Sequence, residues 1–177
     1  GAFDPAVGEL VDAWGFGAVR AQPDAAAIRA ARQTPHRPAH ELLELDAGRA
    51  RKHEALRLDL CGIAKGYAVD AMIEVLQRHG VRHALAALDG ELRALGAQAD
   101  GTPWAVAVES PEPGRRAVHG VIELQDLAVA TSGDYRRFVD IGGVRLAHTM
   151  DARRGAPVRN DIASVTVLAR DGISADA

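Results

Sequence analysis

Lys65 stands in a segment, Leu58-Asp59-Leu60-Cys61-Gly62-Ile63-Ala64-Lys65-Gly66-Tyr67-Ala68-Val69-Asp70, that reads as an apolar strand turning through a glycine into a helix. N–H groups at a helix start lack intrahelical partners and attract anions, and a lysine in the first turn adds a full positive charge. Phosphate binding is the chemistry this offers; a strand–turn–helix unit with a solvated lysine is the plainer alternative. Ala130-Thr131-Ser132-Gly133-Asp134-Tyr135 brings two hydroxyls, a glycine and a carboxylate together after a strand. Such a loop can hold a phosphate or orient a metal, or it is a polar turn closed by side-chain-to-backbone bonds. Nothing here has the Gly-x-Ser-x-Gly form of a hydrolase nucleophile. His148 lies three residues before Asp151, with Arg153 and Arg154 just beyond. That pattern fits a base and its orienter, a contact to a polar ligand edge, or a surface turn.

The remaining histidines do not assemble a metal face. Pro38 separates His36 from His40, Gly80 separates His79 from His83, and His53 and His119 stand alone. A zinc site is therefore not expected. Oxygen-donor chemistry stays open, since carboxylates, hydroxyls and carbonyls are all available. Ile173-Ser174-Ala175-Asp176-Ala177 reads as a helix beginning or as a frayed tail.

The elements that must position these groups follow from periodicity and punctuation. Asp4-Pro5 is a helix start, followed by Val7, Leu10, Val11 and Trp14 on one side and a stop at Gly15. Residues 24–32 read as a second helix, ended by Pro35 and Pro38, and 42–60 as a strand pair or three-strand meander broken at Asp46-Ala47-Gly48. In the helix after Gly62, Ala64, Ala68, Met72, Val75 and Leu76 are assigned to the apolar face. Asp70, Glu74, Gln77 and Arg78 are assigned to the other, with Gly80 as the stop. Strands are expected at Ala84–Leu88, Glu91–Leu95, Trp104–Glu109, Val118–Leu124, Leu127–Ala130 and Ser164–Leu168, with turns at Asp89-Gly90, Asp100-Gly101 and Pro111–Gly114. Helices early and strands late predict an α+β fold with a mixed, mostly antiparallel sheet and packed helices.

A chain of 177 residues, 47% hydrophobic and 25% charged, suffices for one globular domain with a real core. A net charge of −3 and 4% aromatics give no footprint for nucleic acid. No apolar run approaches a membrane span. The single cysteine, Cys61, excludes an intramolecular disulfide without fixing a compartment. The chain starts at Gly1-Ala2-Phe3-Asp4 and stops at Ala177 in mid-pattern, so a piece of a longer protein is expected.

Taken in order, the motifs resemble the ApbE family of FAD:protein FMN transferases, once called thiamine biosynthesis lipoproteins. The resemblance runs from Phe3-Asp4-Pro5-Ala6-Val7-Gly8 and Trp14-Gly15-Phe16-Gly17, through Asp59 to Asp70 and Thr131-Ser132-Gly133-Asp134-Tyr135, to His148 to Gly155, Ser164-Val165-Thr166-Val167 and Ala175-Asp176-Ala177. It departs from the family pattern at Cys61, Asp89 and Ala152. The resemblance implies one flavin-transferase domain over residues 1–177, related to the T-fold and truncated at both ends, with N-terminal strands and a C-terminal helical region outside it. It implies FAD as substrate, Mg²⁺ at the pyrophosphate, and FMN transfer to a serine or threonine of a target protein with release of AMP. An FAD pyrophosphatase giving FMN and AMP, or a non-catalytic flavin-binding domain, are the alternatives.

By the same resemblance Lys65, Gly66, Tyr67, Gly90, Glu91, Thr131 and Ser132 would contact the nucleotide. The Ala64 carbonyl and the Asp176 carboxylate would hold the metal. His148, Asp151 and Asp134 would stand near the reacting groups. The expected partner is an acceptor protein with a Ser/Thr flavinylation motif, such as a redox-complex subunit. The expected location is exported, periplasmic or membrane-anchored, with any lipid anchor outside these residues.

Overall fold

A computed structural model of the chain describes residues 3–17, 22–33, 36–112, 114–135, 138–141 and 143–177. A 3-10 turn, Pro5–Val7, leads into α1 (Gly8–Ala13), α2 (Ala25–Gln33), α3 (Ala39–Leu42), β1 (Leu43–Asp46) and β2 (Arg49–Lys52). Then come α4 (Ala64–Arg78), β3 (Ala84–Leu88), β4 (Glu91–Leu95), β5 (Trp104–Glu109), β6 (Val118–Leu124) and β7 (Ala128–Gly133). The chain closes with β8 (Phe138–Ile141), β9 (Val144–Ala147), β10 (Met150–Asp151), β11 (Ala156–Pro157), β12 (Ser164–Ala169) and α5 (Gly172–Asp176). Every described strand pair is antiparallel, which gives the expected α+β class.

Two compact units result, Gly1–Leu60 with Arg137–Asn160 and Cys61–Arg136 with Asp161–Ala177. In the first unit, Asp4 starts the helical segment as expected, its Oδ1 accepting from Ala6 N at 2.9 Å. Leu10 and Val11 are buried, and Gly15 closes the segment at φ 78°. The same Asp4 Oδ1 accepts from Ala39 N at 3.0 Å, so one carboxylate ties the entry of the chain to α3, a helix the prolines had concealed. β1 and β2 form a hairpin through Ala47-Gly48, and residues 53–60 add no third strand. The expected strand before Gly62 is absent too; Asp59 N bonds instead to Pro5 O at 2.8 Å. Of the expected turn features, Pro35 and Pro113 lie outside the described residues, as do Gly1 and Ala2.

The second unit is built on a four-stranded sheet in the order β12-β7-β4-β3. Alternation along β4 decides what each face carries. Ala94 and Leu92 pack with Leu124, Trp104, Val106 and Ile122 of the β5–β6 hairpin. Leu95 packs instead with Val69, Ile73 and Leu76 of α4, together with Ala84 and Ala86. α5 lies on the helical side as well, its Ala175 buried against Ala128 and Ala130. The β3–β4 turn, Asp89-Gly90, has φ of 51° and 117°; left-handed backbone at both central residues matches an Asp-Gly hairpin turn.

Two further sequence expectations need correction. The buried face of α4 is Gly66, Val69 and Ile73, while Met72 and Val75 are exposed and Asp70 is turned inward. The second is the segment Thr131-Ser132-Gly133, which is strand and not loop. It pairs in register with Thr166, Val165 and Ser164 of β12.

Candidate functional site

The candidate site in the second unit gathers at the first turn of α4. Ile63, the N-cap residue, offers no side-chain cap. The missing cap comes from the far end of the chain. Asp176 Oδ2 accepts from Gly66 N at 3.0 Å, at the N3 position where a helix's own Ser or Asp usually serves. Lys65 Nζ sits 2.6 Å from Glu91 Oε1, an ion pair between the helix and the first residue of β4. Glu91 is only 2% exposed, whereas the Lys65 side chain is 36% exposed. The second carboxylate oxygen of Glu91, Oε2, is buried without a hydrogen-bond partner. A buried carboxylate is tolerated only when paired, and here one lysine supplies the charge.

The alternation that aims Glu91 at α4 also aims Arg93 there. Arg93 Nη1 donates to Asp70 Oδ1 at 2.6 Å. Asp70 in turn accepts from Gly172 N (2.7 Å, Oδ1) and Ile173 N (3.1 Å, Oδ2), the first N–H groups of α5. Sequence reasoning missed Asp70 and Arg93. The available signal was spacing, because positions 66, 69, 70 and 73 share one helical face. Asp171 adds its own cap to α5, accepting from Ser174 N at 2.8 Å. Hydrogen bonds from the Ser174 side chain and backbone hold the Asp171 carboxyl below its ordinary range.

Of the other expected nucleotide contacts, Tyr67 is exposed on the outer side of α4, and Gly90 is exposed at the hairpin turn preceding Glu91. Thr131 Oγ1 lies 3.0 Å from Thr166 Oγ1 across the β7–β12 pair, and Ser132 is exposed. Asp134 N bonds to Ala163 O at 3.1 Å just past the end of β7. His148 and Asp151 belong to the first unit. The His148 ring meets Phe16 edge-on, with centroids 6.4 Å apart. Asp151 Oδ1 accepts from Arg153 N (3.0 Å) and Arg154 N (3.3 Å), the hydrogen bonding of an Asx turn.

The two oxygens that the resemblance assigns to a metal are hard donors: the Asp176 carboxylate, one oxygen of which is engaged by Gly66 N, and the carbonyl of Ala64, the first residue of α4. Among the described residues no group of three or more His, Cys, Asp or Glu is assembled. That donor set suits Mg²⁺, which takes one or two carboxylates and completes its shell with phosphate and water, and it does not suit zinc.

A curated relative from Vibrio cholerae, named FAD:protein FMN transferase, is 39% identical over 99% of this chain and 53% of its own length. One of the same name from Haemophilus influenzae is 37% identical over 99% of this chain and 53% of its own. Among solved structures, the flavin transferase ApbE from Vibrio cholerae superposes with a TM-score of 0.81 at 37% identity, over 99% of this chain and 56% of that one. The ApbE protein of Thermotoga maritima gives 0.83 at 34% identity, over 99% of this chain and 57% of that one. The chain thus spans about half the length of the curated relatives it matches. The ApbE family model matches residues 1–177, and the chain belongs to the ApbE family.

Proposed function

We propose that this chain carries part of an enzyme that moves FMN from FAD to a serine or threonine hydroxyl of a target protein, releasing AMP, with Mg²⁺ as its cation. The observation that carries the reading is the meeting of Lys65, Gly66, Glu91 and Asp176 at one helix start. There, a lysine ammonium pairs with one carboxylate, and a second carboxylate, a hard-oxygen donor, meets the positive end of a helix dipole. The relatives' name, FAD:protein FMN transferase, supplies the reaction class. In the proposed step the hydroxyl oxygen forms a bond to the phosphorus of the FMN half. The bridging P–O bond breaks, AMP leaves with the bridging oxygen, and the hydroxyl proton passes to a base. Mg²⁺ would neutralise charge on the pyrophosphate oxygens, with Asp176 and the Ala64 carbonyl as its protein ligands.

Lys65 and the first turn of α4 would attract the pyrophosphate, with Tyr67, Gly90, Glu91, Thr131 and Ser132 as further nucleotide contacts. Asp134 and His148 are the two candidates for the base, with Asp151 as the companion of His148. A redox-complex subunit as acceptor, and an exported, periplasmic or lipid-anchored location, belong to the same proposal. Incubating the protein with FAD, Mg²⁺ and an acceptor bearing a Ser/Thr motif should yield AMP and a flavin fluorescence band that survives denaturing electrophoresis. AMP with free FMN would reassign the protein to FAD hydrolysis. Bound FAD with neither product refutes the enzyme reading.

A further inference from the structure

We propose that Asp70 is a positioning residue for Asp176, acting through a reciprocal cap between α4 and α5. The inference rests on the reading of Asp176 as a cation ligand. Each helix start is closed by a carboxylate borne on the other helix. Asp176 of α5 accepts from Gly66 N of α4, and Asp70 of α4 accepts from Gly172 N and Ile173 N of α5. The backbones touch between these two caps. A Cβ on Gly66 would lie 2.2 Å from Gly172 O, and one on Gly172 would lie 2.4 Å from Gly66 O.

α5 starts at Gly172 and carries Asp176 at its fifth residue. Its start is docked by the Asp70 caps, the glycine contact, Asp171 and the burial of Ala175. Of these, Asp70 alone grips the first two N–H groups from the same helix whose start Asp176 must reach. Arg93 Nη1, at 2.6 Å from Asp70 Oδ1, fixes the rotamer of that grip from β4. Losing the Asp70 carboxylate loosens the first residues of α5, one helical turn before Asp176, and displaces that carboxylate from the start of α4. Coordination chemistry tolerates such an error poorly, because Mg²⁺ demands near-octahedral geometry.

The test uses Mn²⁺ alone as probe, its binding read by loss of the free-ion electron paramagnetic resonance signal, together with amide hydrogen exchange at Gly66, Gly172 and Ile173. The expected result has two parts. Asp176→Ala removes tight Mn²⁺ binding while protection at Gly172 and Ile173 persists. Asp70→Asn weakens Mn²⁺ about tenfold, about 1.4 kcal/mol of coupling, and speeds exchange at Gly66, the amide that Asp176 caps. If Asp176→Ala loses Mn²⁺ while Asp70→Asn keeps parental affinity, the positioning role is overturned and the cation reading stands. If Asp176→Ala binds Mn²⁺ as the parent does, the cation reading fails and the proposal with it. Should Asp70→Asn not fold, Arg93→Gln, which leaves both caps of α5 in place, carries the test. A two- to threefold loss supports the proposal and an unchanged affinity overturns it.

Discussion

Replacing Gly66 by alanine should destabilise the protein, although the position is inside a helix, where alanine ordinarily exceeds glycine by about 1 kcal/mol. The reversal follows from geometry. The new methyl would meet Gly172 O at 2.2 Å, Gly172 C at 2.5 Å and Asp176 Cβ at 2.9 Å. Two of these are backbone atoms that no rotamer change can clear. The helices must separate, and the cheapest separation bounds the cost from above. Detaching α5 gives up the hydrogen bonds from Gly66 N to Asp176 and from Gly172 N and Ile173 N to Asp70, each about 1 kcal/mol net, with the burial of Ala175 besides. After the helix-propensity gain, the expected loss is about 2–4 kcal/mol. Urea unfolding followed by far-ultraviolet circular dichroism measures it, with hydrogen exchange at Gly172 and Ile173 locating the damage. Gly120→Ala is the control, since a Cβ there meets nothing within 4 Å and should be tolerated. A Gly66→Ala protein as stable as its parent, or more so, would refute the close-approach argument and the docking of α5 that depends on it.

Lys65→Met should cost about 2–3 kcal/mol in urea unfolding by leaving the Glu91 carboxylate buried alone. Lys65→Met combined with Glu91→Gln should recover most of it, giving a large coupling in the double-mutant cycle. Asp4→Ala should cost about 1–2 kcal/mol, because one carboxylate caps Ala6 N and Ala39 N. Burial alone would raise the Asp4 carboxyl, but hydrogen bonds from Ala6 N, His36 and Ala39 N hold it below its ordinary 3.8. Its contribution is therefore complete above that pH and fades as pH falls through the lower folded value, so Asp4→Asn should flatten the acid limb of a stability–pH profile. Asp171 follows the same sign, and protection of the Ser174 amide should weaken as the solution is acidified below 3.8.

Local signals carried the fold a long way. The strands Ala84–Leu88, Glu91–Leu95, Trp104–Glu109 and Val118–Leu124 stand at the residues their patterning indicates, and the Asp89-Gly90 turn falls between the first two. These elements are bounded by turn chemistry that only a few neighbouring residues determine. Thr131-Ser132-Gly133 failed for the opposite reason. Two hydroxyls and a glycine favour a turn in isolation, but β12 offers a paired edge, and the tertiary ladder overrides local preference. β8 with β9 and β10 with β11 escaped notice because two to four residues are too short for alternation to register.

The helix bearing Lys65 shows why the site was harder to read than the fold. Counting apolar residues favoured a face with Met72 and Val75, yet the protein buries Gly66, Val69 and Ile73. A face chosen for backbone-to-backbone approach is marked by its smallest residue, and hydrophobicity counts assign glycine no weight. Asp70 was misplaced by the same logic, since a carboxylate reads as solvent-facing unless its partners are known. Those partners are Gly172 N and Ile173 N, more than a hundred residues later. Helix spacing would have placed Asp70 beside Gly66 and Ile73 from the start. The anion-attracting start of α4 already has one of its N–H groups, Gly66 N, engaged by a carboxylate. It is already half of a mutual cap, and any ligand arriving there must be accommodated alongside Asp176 and the Lys65–Glu91 pair.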